Sequence, residues 1–101
     1  MSAKGNIIIC DAGVLLQTLI DEANKNGLAG LETLAGIPGT VGGAVYGNAG
    51  AYGNEIKNIV QSVTVHDGKR VRTLPRNKCG FQYRESIFKK KNWIILSMTF
   101  L

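Results

Sequence analysis

The chain has 101 residues, of which 45% are apolar, and carries a formal net charge of +5. This length suffices for one small domain with a core of its own, and the apolar content is typical of a folded globular chain rather than a disordered one. No apolar stretch approaches the roughly 20 residues of a membrane helix, no signal-peptide cleavage region is recognisable, and the basic clusters are not interleaved with stacking aromatics, so we expect neither a membrane nor a nucleic-acid partner.

The side chains that most often bind metals or form disulfides are few and scattered. Cys10 and Cys79 form no CxxC pair and no other metal-ligand spacing, so we expect two reduced, buried or half-buried thiols, no metal site and a cytoplasmic location. His66 has no nucleophile or acid near it in sequence and is expected to be solvated. Three further aromatic side chains are expected in the core or at its rim: Tyr46, Tyr52 and Trp93.

The N-terminal third has the pattern of a strand followed by helices. Asn6–Cys10 is a short apolar run that predicts a strand, and Asp11 is a suitable N-cap for the helix predicted after it. Apolar residues at helical spacing predict this helix over Val14–Asn26, and Gly27 ends it. Leu28–Ala35 is predicted to form a second, short helical turn.

The most informative stretch is Gly36–Gly53, which contains seven glycines among 18 residues. Pro38 is expected at the first position of a helix over Gly39–Tyr46, with Gly42 and Gly43 in its first turn. A helix N-terminus with bare backbone favours an anion such as a diphosphate. The run is neither a Walker loop nor a GxGxxG fingerprint, and a tight helix–helix crossing that requires small residues is an alternative explanation.

The C-terminal half is predicted to be mainly antiparallel sheet. In Ile59–His66 apolar and polar residues alternate, with Val63 and Val65 inward, and the turn Asp67–Gly68 leads to a returning strand over Lys69–Leu74. Pro75 opens a turn or short helix, and Trp93–Leu101 is β-prone. The fold class is therefore α+β. The first and last strands have no predicted neighbours beyond them, which is typical of a piece of a larger domain.

A second cluster, CGFQYRESIF over Cys79–Phe88, places Arg84 among aromatic side chains. Apolar neighbours strengthen the field of a guanidinium on a nearby carboxylate or developing enolate. The residues alone favour a structural arginine that is paired with Glu85 or stacked on Tyr83.

Together, LAGIPGTVGGAVYGNAGAYG and the later YRES resemble the UDP-N-acetylenolpyruvoylglucosamine reductase family. The resemblance extends from about Asp11 onward and corresponds to only the middle part of the family's length. It implies a partial FAD-binding domain of the vanillyl-alcohol-oxidase (PCMH) type, mostly antiparallel sheet with flanking helices. Residues 1–101 would be a single segment, the second lobe of that domain.

The resemblance also implies a chemistry. Enzymes of this family use NADPH to reduce FAD, and the reduced flavin reduces UDP-N-acetylglucosamine enolpyruvate to UDP-N-acetylmuramate for peptidoglycan synthesis. Arg84 corresponds to the catalytic arginine that stabilises the enol or enolate, and Tyr83 would be a neighbour in the substrate site. The residues implied to hold the FAD diphosphate are Ile37, Pro38, Gly39, Thr40, Val41, Gly42 and Gly43. Those implied to lie beside the flavin are Asn48, Ala49 and Gly50.

The chain also departs from the family pattern. By this resemblance, residues 1–101 would lack the first FAD lobe and the C-terminal substrate lobe, and with them the proton-donating serine and the catalytic glutamate. This leaves three hypotheses: a fragment of the reductase that is inactive alone, a subunit of a split flavoenzyme whose complementary lobes lie on another chain, or a non-catalytic flavin- or nucleotide-binding module. Retention of Arg84 argues against the third, because a nucleotide binder does not need it.

Overall fold

A computed structural model describes residues 1–27, 31–51 and 54–100. These residues form seven strands and three α-helices, in chain order β1 (Ser2–Lys4), β2 (Ile7–Asp11), α1 (Leu16–Lys25), α2 (Val41–Tyr46), β3 (Gly50–Ala51), β4 (Asn54–Glu55), β5 (Val60–His66), β6 (Val71–Pro75), α3 (Ile87–Lys91) and β7 (Ile94–Phe100). Single 3₁₀ turns are formed by Glu32–Leu34, Ile56–Asn58 and Arg76–Lys78. None of the helices described is long and apolar enough to cross a membrane.

Five strands form one antiparallel sheet in the order β1-β2-β7-β5-β6. The prediction that the first and last strands lack neighbours is wrong. β1 precedes the predicted first strand and pairs with it, and β7 lies at the centre of the sheet between β2 and β5. The last strand in the sequence therefore connects the N-terminal strands β1 and β2 to the hairpin strands β5 and β6.

The β5–β6 hairpin confirms the strongest strand prediction. Val63 and Val65 are fully buried, whereas the hydroxyls of Thr64 and Thr73 meet across the strands at 2.9 Å on the other side. The Asp67 carboxylate organises the turn by accepting hydrogen bonds from two backbone N–H groups. Buried and solvated side chains thus alternate, as a half-buried strand requires.

The start of α1 differs from the prediction. Asp11 belongs to β2 and caps no helix, and α1 begins at Leu16, after Leu15, which offers no capping side chain. The chain stays extended through Asp11 because that residue continues the pairing with β7. The helix then ends where expected, with Gly27 at φ +71°.

One face of the sheet is covered by the helices and carries the core. The helix stripe of Leu16, Leu19, Ile20 and Ala23 packs in one cluster with inward-facing sheet residues such as Met98. Of the predicted second helical turn, Glu32–Leu34 forms a 3₁₀ turn, while 28–30 lie outside the described residues, as does Tyr52. Tyr46 and Trp93 lie at the rim of the core, as predicted.

Both cysteines are buried and free, which confirms the predicted thiols. Burial raises the pKa of the Cys10 thiol and of the Cys79 thiol to about 11 in each case. Cys10 Sγ lies 3.5 Å from the sulfur of Met98 in the sheet interior. Neither thiol is therefore an ionised nucleophile near neutral pH.

Candidate functional site

The glycine-rich segment forms α2, but the helix starts later than expected. Thr40 is the N-cap, and its hydroxyl accepts a hydrogen bond from the N–H of Gly43 at 3.1 Å. Pro38 lies two residues before this cap and is not the first helical residue. The helix begins after Thr40 rather than at Pro38 because the threonine hydroxyl accepts a hydrogen bond from the third helical N–H, which would otherwise have no partner.

Gly42 is buried because the loop after β2 lies directly against it. A Cβ added at Gly42 would lie 2.7 Å from Ala12 Cβ and 3.0 Å from the Ala12 carbonyl oxygen. The alternative explanation, a tight crossing that requires small residues, correctly predicts that only a small residue fits at this position. The partner is a loop backbone, however, and not a second helix.

The first turn of α2 has no spare N–H groups. The N–H of Val41 donates to the Val14 carbonyl at 2.7 Å, and that of Gly42 donates to the Ala12 carbonyl at 2.9 Å. Since the N–H of Gly43 is held by Thr40, an anion cannot use these three donors without displacing a bond. Within the described parts of the chain, the N–H groups of the neighbouring Gly13 and Thr40 donate no hydrogen bond.

An open cleft of about 380 Å³ lies beside this turn. Its lining comes from the loop after β2, from α2 with its N-cap, and from the start of β7: Ala12, Gly13, Thr40, Gly42, Gly43, Tyr46, Trp93, Ile94 and Ile95. Sites for drug-sized ligands measure about 300–1,000 Å³, so this cleft lies at the small end of that range. The Arg72 guanidinium stacks over the Trp93 ring at 5.2 Å, which places a cation near one wall.

The second cluster is a tight turn that begins at Gln82 and ends at Glu85. These two residues exchange both backbone hydrogen bonds at 3.1 Å, so Tyr83 and Arg84 occupy the tip. Arg84 has φ +50°, a conformation sparsely populated by residues that carry a side chain. Tyr83 is 80% exposed and lies on the solvent side of the turn.

The Arg84 side chain reaches from this turn to the segment that follows α2. Its Nη1 donates to the Asn48 carbonyl at 3.3 Å, and its Nη2 donates to the Gly50 carbonyl at 2.9 Å. The guanidinium also lies 4.9 Å from the Tyr83 ring centroid, so the predicted stacking is present. No carboxylate among the described residues lies within ion-pair distance of Arg84, and the alternative of pairing with Glu85 is wrong. Its positive charge is therefore held by neutral partners only.

The chain segment between the two clusters is anchored by Asn48. This asparagine is fully buried with φ +46°, the left-handed conformation expected for a turn. Its Nδ2 donates to Glu55 Oε2 at 2.6 Å and to the Gln82 carbonyl at 2.7 Å, and its Oδ1 accepts from the N–H of Lys57 at 3.2 Å. The side chain is therefore occupied by the protein itself.

The structure thus brings the Arg84 turn against Asn48 and Gly50, while Thr40 and Gly43 face the cleft at the other end of α2. Sequence reasoning missed Gly13, Glu55 and the carbonyl of Gln82, because no motif marks them. No group of three histidine, cysteine or acidic side chains in the described residues could hold a metal ion.

Comparisons with known proteins agree with this description of the fold. A family model described as an FAD binding domain matches residues 1–73. UDP-N-acetylenolpyruvoylglucosamine reductase of Solibacter usitatus is 57% identical over 98 residues, which are 96% of this chain and 31% of that protein. The protein of the same name from Pseudothermotoga lettingae is 48% identical over 94 residues, which are 93% of this chain and 33% of that protein.

A solved structure agrees with these sequence matches. The crystal structure of UDP-N-acetylenolpyruvylglucosamine reductase from Thermus caldophilus superposes with a TM-score of 0.84 at 36% identity. The match covers 99% of this chain and 37% of that one. The chain therefore spans about a third of the length of the relatives that it matches.

Proposed function

This chain belongs to the FAD binding domain family, and from that membership we propose that it is a segment of a UDP-N-acetylenolpyruvoylglucosamine reductase. Its place in the enzyme is the second lobe of a PCMH-type FAD-binding domain. The reaction is NADPH-dependent reduction of UDP-N-acetylglucosamine enolpyruvate to UDP-N-acetylmuramate. The observation that carries the proposal is the guanidinium of Arg84, which lies against the glycine-rich segment with no carboxylate partner among the described residues.

The FAD diphosphate is proposed to lie along the N-terminal side of α2. The cleft fits this role because one side of it is lined by Ala12 and three glycines and because, in the part of the chain that the structure describes, the N–H groups of Gly13 and Thr40 are available to donate. The residues proposed to form the cradle are Ile37, Pro38, Gly39, Thr40, Val41, Gly42 and Gly43. Val41 and Gly42 are buried and act by shaping the backbone, whereas Thr40 and Gly43 are exposed to the ligand.

The flavin ring is proposed to lie beside Asn48, Ala49 and Gly50. Because the Asn48 side chain is engaged internally, this segment contributes its backbone rather than that amide. When bound, FAD would take a hydride from NADPH and supply it to the enolpyruvyl double bond. The role of the chain's own residues is to hold the cofactor and to place a cation next to the reacting group.

Arg84 is proposed to bind the substrate carboxylate and to stabilise the negative charge that develops after hydride addition. A cation fixed by neutral carbonyls keeps its full charge for this purpose, and it needs little reorganisation during the reaction. Tyr83, next to it and largely exposed, is proposed to contact the substrate. The proton donor and the catalytic glutamate are proposed to come from the lobes that lie outside these 101 residues.

The chain is proposed to act together with complementary lobes, whether on the same polypeptide or on another one. A catalytic set that works as a unit loses most of its rate when one member is missing, so we expect no turnover from this segment alone. A cytoplasmic location is part of the proposal, and the two free thiols fit a reducing compartment.

Titration of the chain with FAD, ADP and riboflavin tests the cofactor proposal. We expect saturable but weak FAD binding, seen as a shift of the flavin absorption bands, which ADP reduces by competition and riboflavin does not. The Gly43→Ala variant should weaken ADP binding, because its methyl group enters the cleft. Arg84→Lys is the matched control, since it changes the turn that contacts the segment after α2, away from the cleft, and should leave ADP binding unchanged.

Two results would contradict this proposal. One is the absence of any saturable FAD or ADP binding, and the other is competition by riboflavin as strong as that by ADP, which would show that the diphosphate is not recognised.

The split-enzyme arrangement has its own test. Addition of the complementary lobes as a separate polypeptide should tighten FAD binding and restore NADPH oxidation with the enolpyruvyl substrate.

A further inference from the structure

Asn48 connects the parts of the structure that hold Arg84. It follows α2 and its backbone carbonyl accepts one bond from the guanidinium. Its side chain also donates to the carbonyl of Gln82, the residue that opens the turn with Arg84 at its tip. The side chain of one buried asparagine therefore holds the base of the turn, and its backbone carbonyl accepts a hydrogen bond from the guanidinium.

The other two side-chain bonds of Asn48 orient its amide. Glu55 Oε2 accepts from the second Nδ2 hydrogen at 2.6 Å, and the N–H of Lys57 donates to Oδ1 at 3.2 Å. Glu55 is itself held by a capping box with Asn58, whose Oδ1 accepts from the Glu55 N–H at 2.9 Å. Both amide donors and the amide acceptor are thus in use, and the residue cannot rotate without losing three bonds.

Only asparagine meets the chemical requirement at this position. The site needs two N–H donors and one acceptor at the end of a short side chain, on a backbone with positive φ. Aspartate has the shape but no donor, and glycine has the backbone freedom but no side chain. The residue therefore binds the turn across 34 positions of sequence as well as the loop that follows it.

We propose that Asn48 is a positioning residue for Arg84: it sets the distance between the arginine turn and the segment over Asn48–Gly50 against which the flavin is proposed to lie. This inference rests on the proposed function, because the proposed function is what assigns Arg84 to the substrate carboxylate. The asparagine acts through Arg84 and does not itself touch the reacting group.

NMR relaxation of the Arg84 side-chain Nε–H in the chain without flavin tests the proposal. In the unmodified chain we expect an order parameter typical of a rigid group, about 0.85. In Asn48→Gly, which tolerates the positive φ, it should fall below about 0.6, the range of flexible groups. The hydrogens on Arg84 Nη should also exchange with solvent faster, by about fivefold, the factor that corresponds to the net free energy of one hydrogen bond.

Asn58→Ala is the matched control, because it removes another asparagine of the same network that makes no bond to the turn. It should lower stability without changing the Arg84 signals. An Asn48→Gly chain that folds and keeps a rigid Arg84 would overturn the proposal, as would equal loosening in both variants. If Asn48→Gly fails to fold, exchange of the Asn48 amide hydrogens in the unmodified chain decides instead: slow exchange supports the proposal, and exchange at the rate of a free amide refutes it.

These measurements need neither flavin nor turnover. Loss of FAD binding in the titration would therefore refute the proposed function without changing the Arg84 signals. A mobile Arg84 in the unmodified chain would refute the positioning role and leave the diphosphate site untouched.

Discussion

Gly42 and Gly43 are neighbours in α2, yet the absence of a side chain has a different reason at each. Gly42 faces inward, where Ala12 leaves no room for a methyl group. Gly43 faces the cleft, where a methyl group would meet only the Thr40 hydroxyl, at 3.4 Å. One glycine is required by the fold and the other is free to serve a ligand.

Gly42→Ala should destabilise the chain by about 1–3 kcal/mol, because the added methyl overpacks the contact with Ala12. The clash involves the backbone as well as the side chain of Ala12, so it cannot be relieved by a rotamer change. Urea unfolding followed by circular dichroism measures the loss. A variant as stable as the original chain would contradict the packing described for α2.

Gly43→Ala should have the opposite effect on stability. Alanine is favoured over glycine inside a helix by up to about 1 kcal/mol, and its methyl group has room here. We therefore expect unchanged or slightly raised stability together with weaker ADP binding. Equal unfolding free energies for the two alanine variants, measured by urea titration, would show that the two positions do not differ as described.

At the scale of elements, the hairpin turn is held by a charge. The backbone N–H groups of Arg70 and Lys69, followed by the Arg72 guanidinium at 3.3 Å, lower the pKa of Asp67 from 3.8 to about 2. A carboxyl with a lower pKa in the folded state stabilises the fold where it is ionised. Its contribution is complete above about pH 4 and is lost as the pH falls towards 2.

Asp67→Asn should remove this acid-dependent part of stability. The amide oxygen can still accept from the turn N–H groups, but it does not titrate. We therefore expect the original chain to lose stability between about pH 4 and pH 2 relative to the variant, with a constant difference between them above about pH 5. Unfolding free energies across that pH range measure the effect, and parallel curves over the whole range would refute it.

Local patterns predicted the elements best where a single local rule decides the structure. The β5–β6 hairpin follows from alternation around Asp67–Gly68. The starts of α1 and α2 do not, because a distant strand and a nearby threonine decide them: Asp11 stays extended to pair with β7, and Thr40 outcompetes Pro38 as the helix start. Helix starts depend on which partner satisfies the free N–H groups, and a linear sequence does not reveal that partner.

The candidate site shows the same limit over a longer range. The residue types of the glycine run indicated an anion site, whereas the residues around Arg84 alone favoured a structural arginine. That Arg84 would rest on the carbonyls of Asn48 and Gly50 could not be predicted, since backbone acceptors carry no sequence signal. The role proposed for Arg84 comes from the resemblance to a family, and the contact with the two carbonyls comes from the structure.

At the scale of the whole molecule, β7 decides whether there is one folding unit. It pairs with β2 near the start of the chain and with β5 from the hairpin, so among the described strands the two halves of the sheet are joined through β7 alone. Met98 is 2% exposed within this strand, whereas Ile94 at its start is 64% exposed. The two side chains offer a comparison of buried and exposed positions on one element.

Met98→Ala should cost about 2–5 kcal/mol, a large part of the roughly 5–15 kcal/mol typical of a domain, whereas Ile94→Ala should change stability by less than about 0.5 kcal/mol. Because β7 joins both halves, the loss at Met98 should lower the stability of the entire chain. Fluorescence of Trp93, the only tryptophan, reports on the start of β7, and far-ultraviolet circular dichroism reports on all elements. Coincident urea transitions that shift together in Met98→Ala are expected, since a two-state domain unfolds as a unit. Separate transitions would mean that the halves unfold independently and that β7 does not couple them.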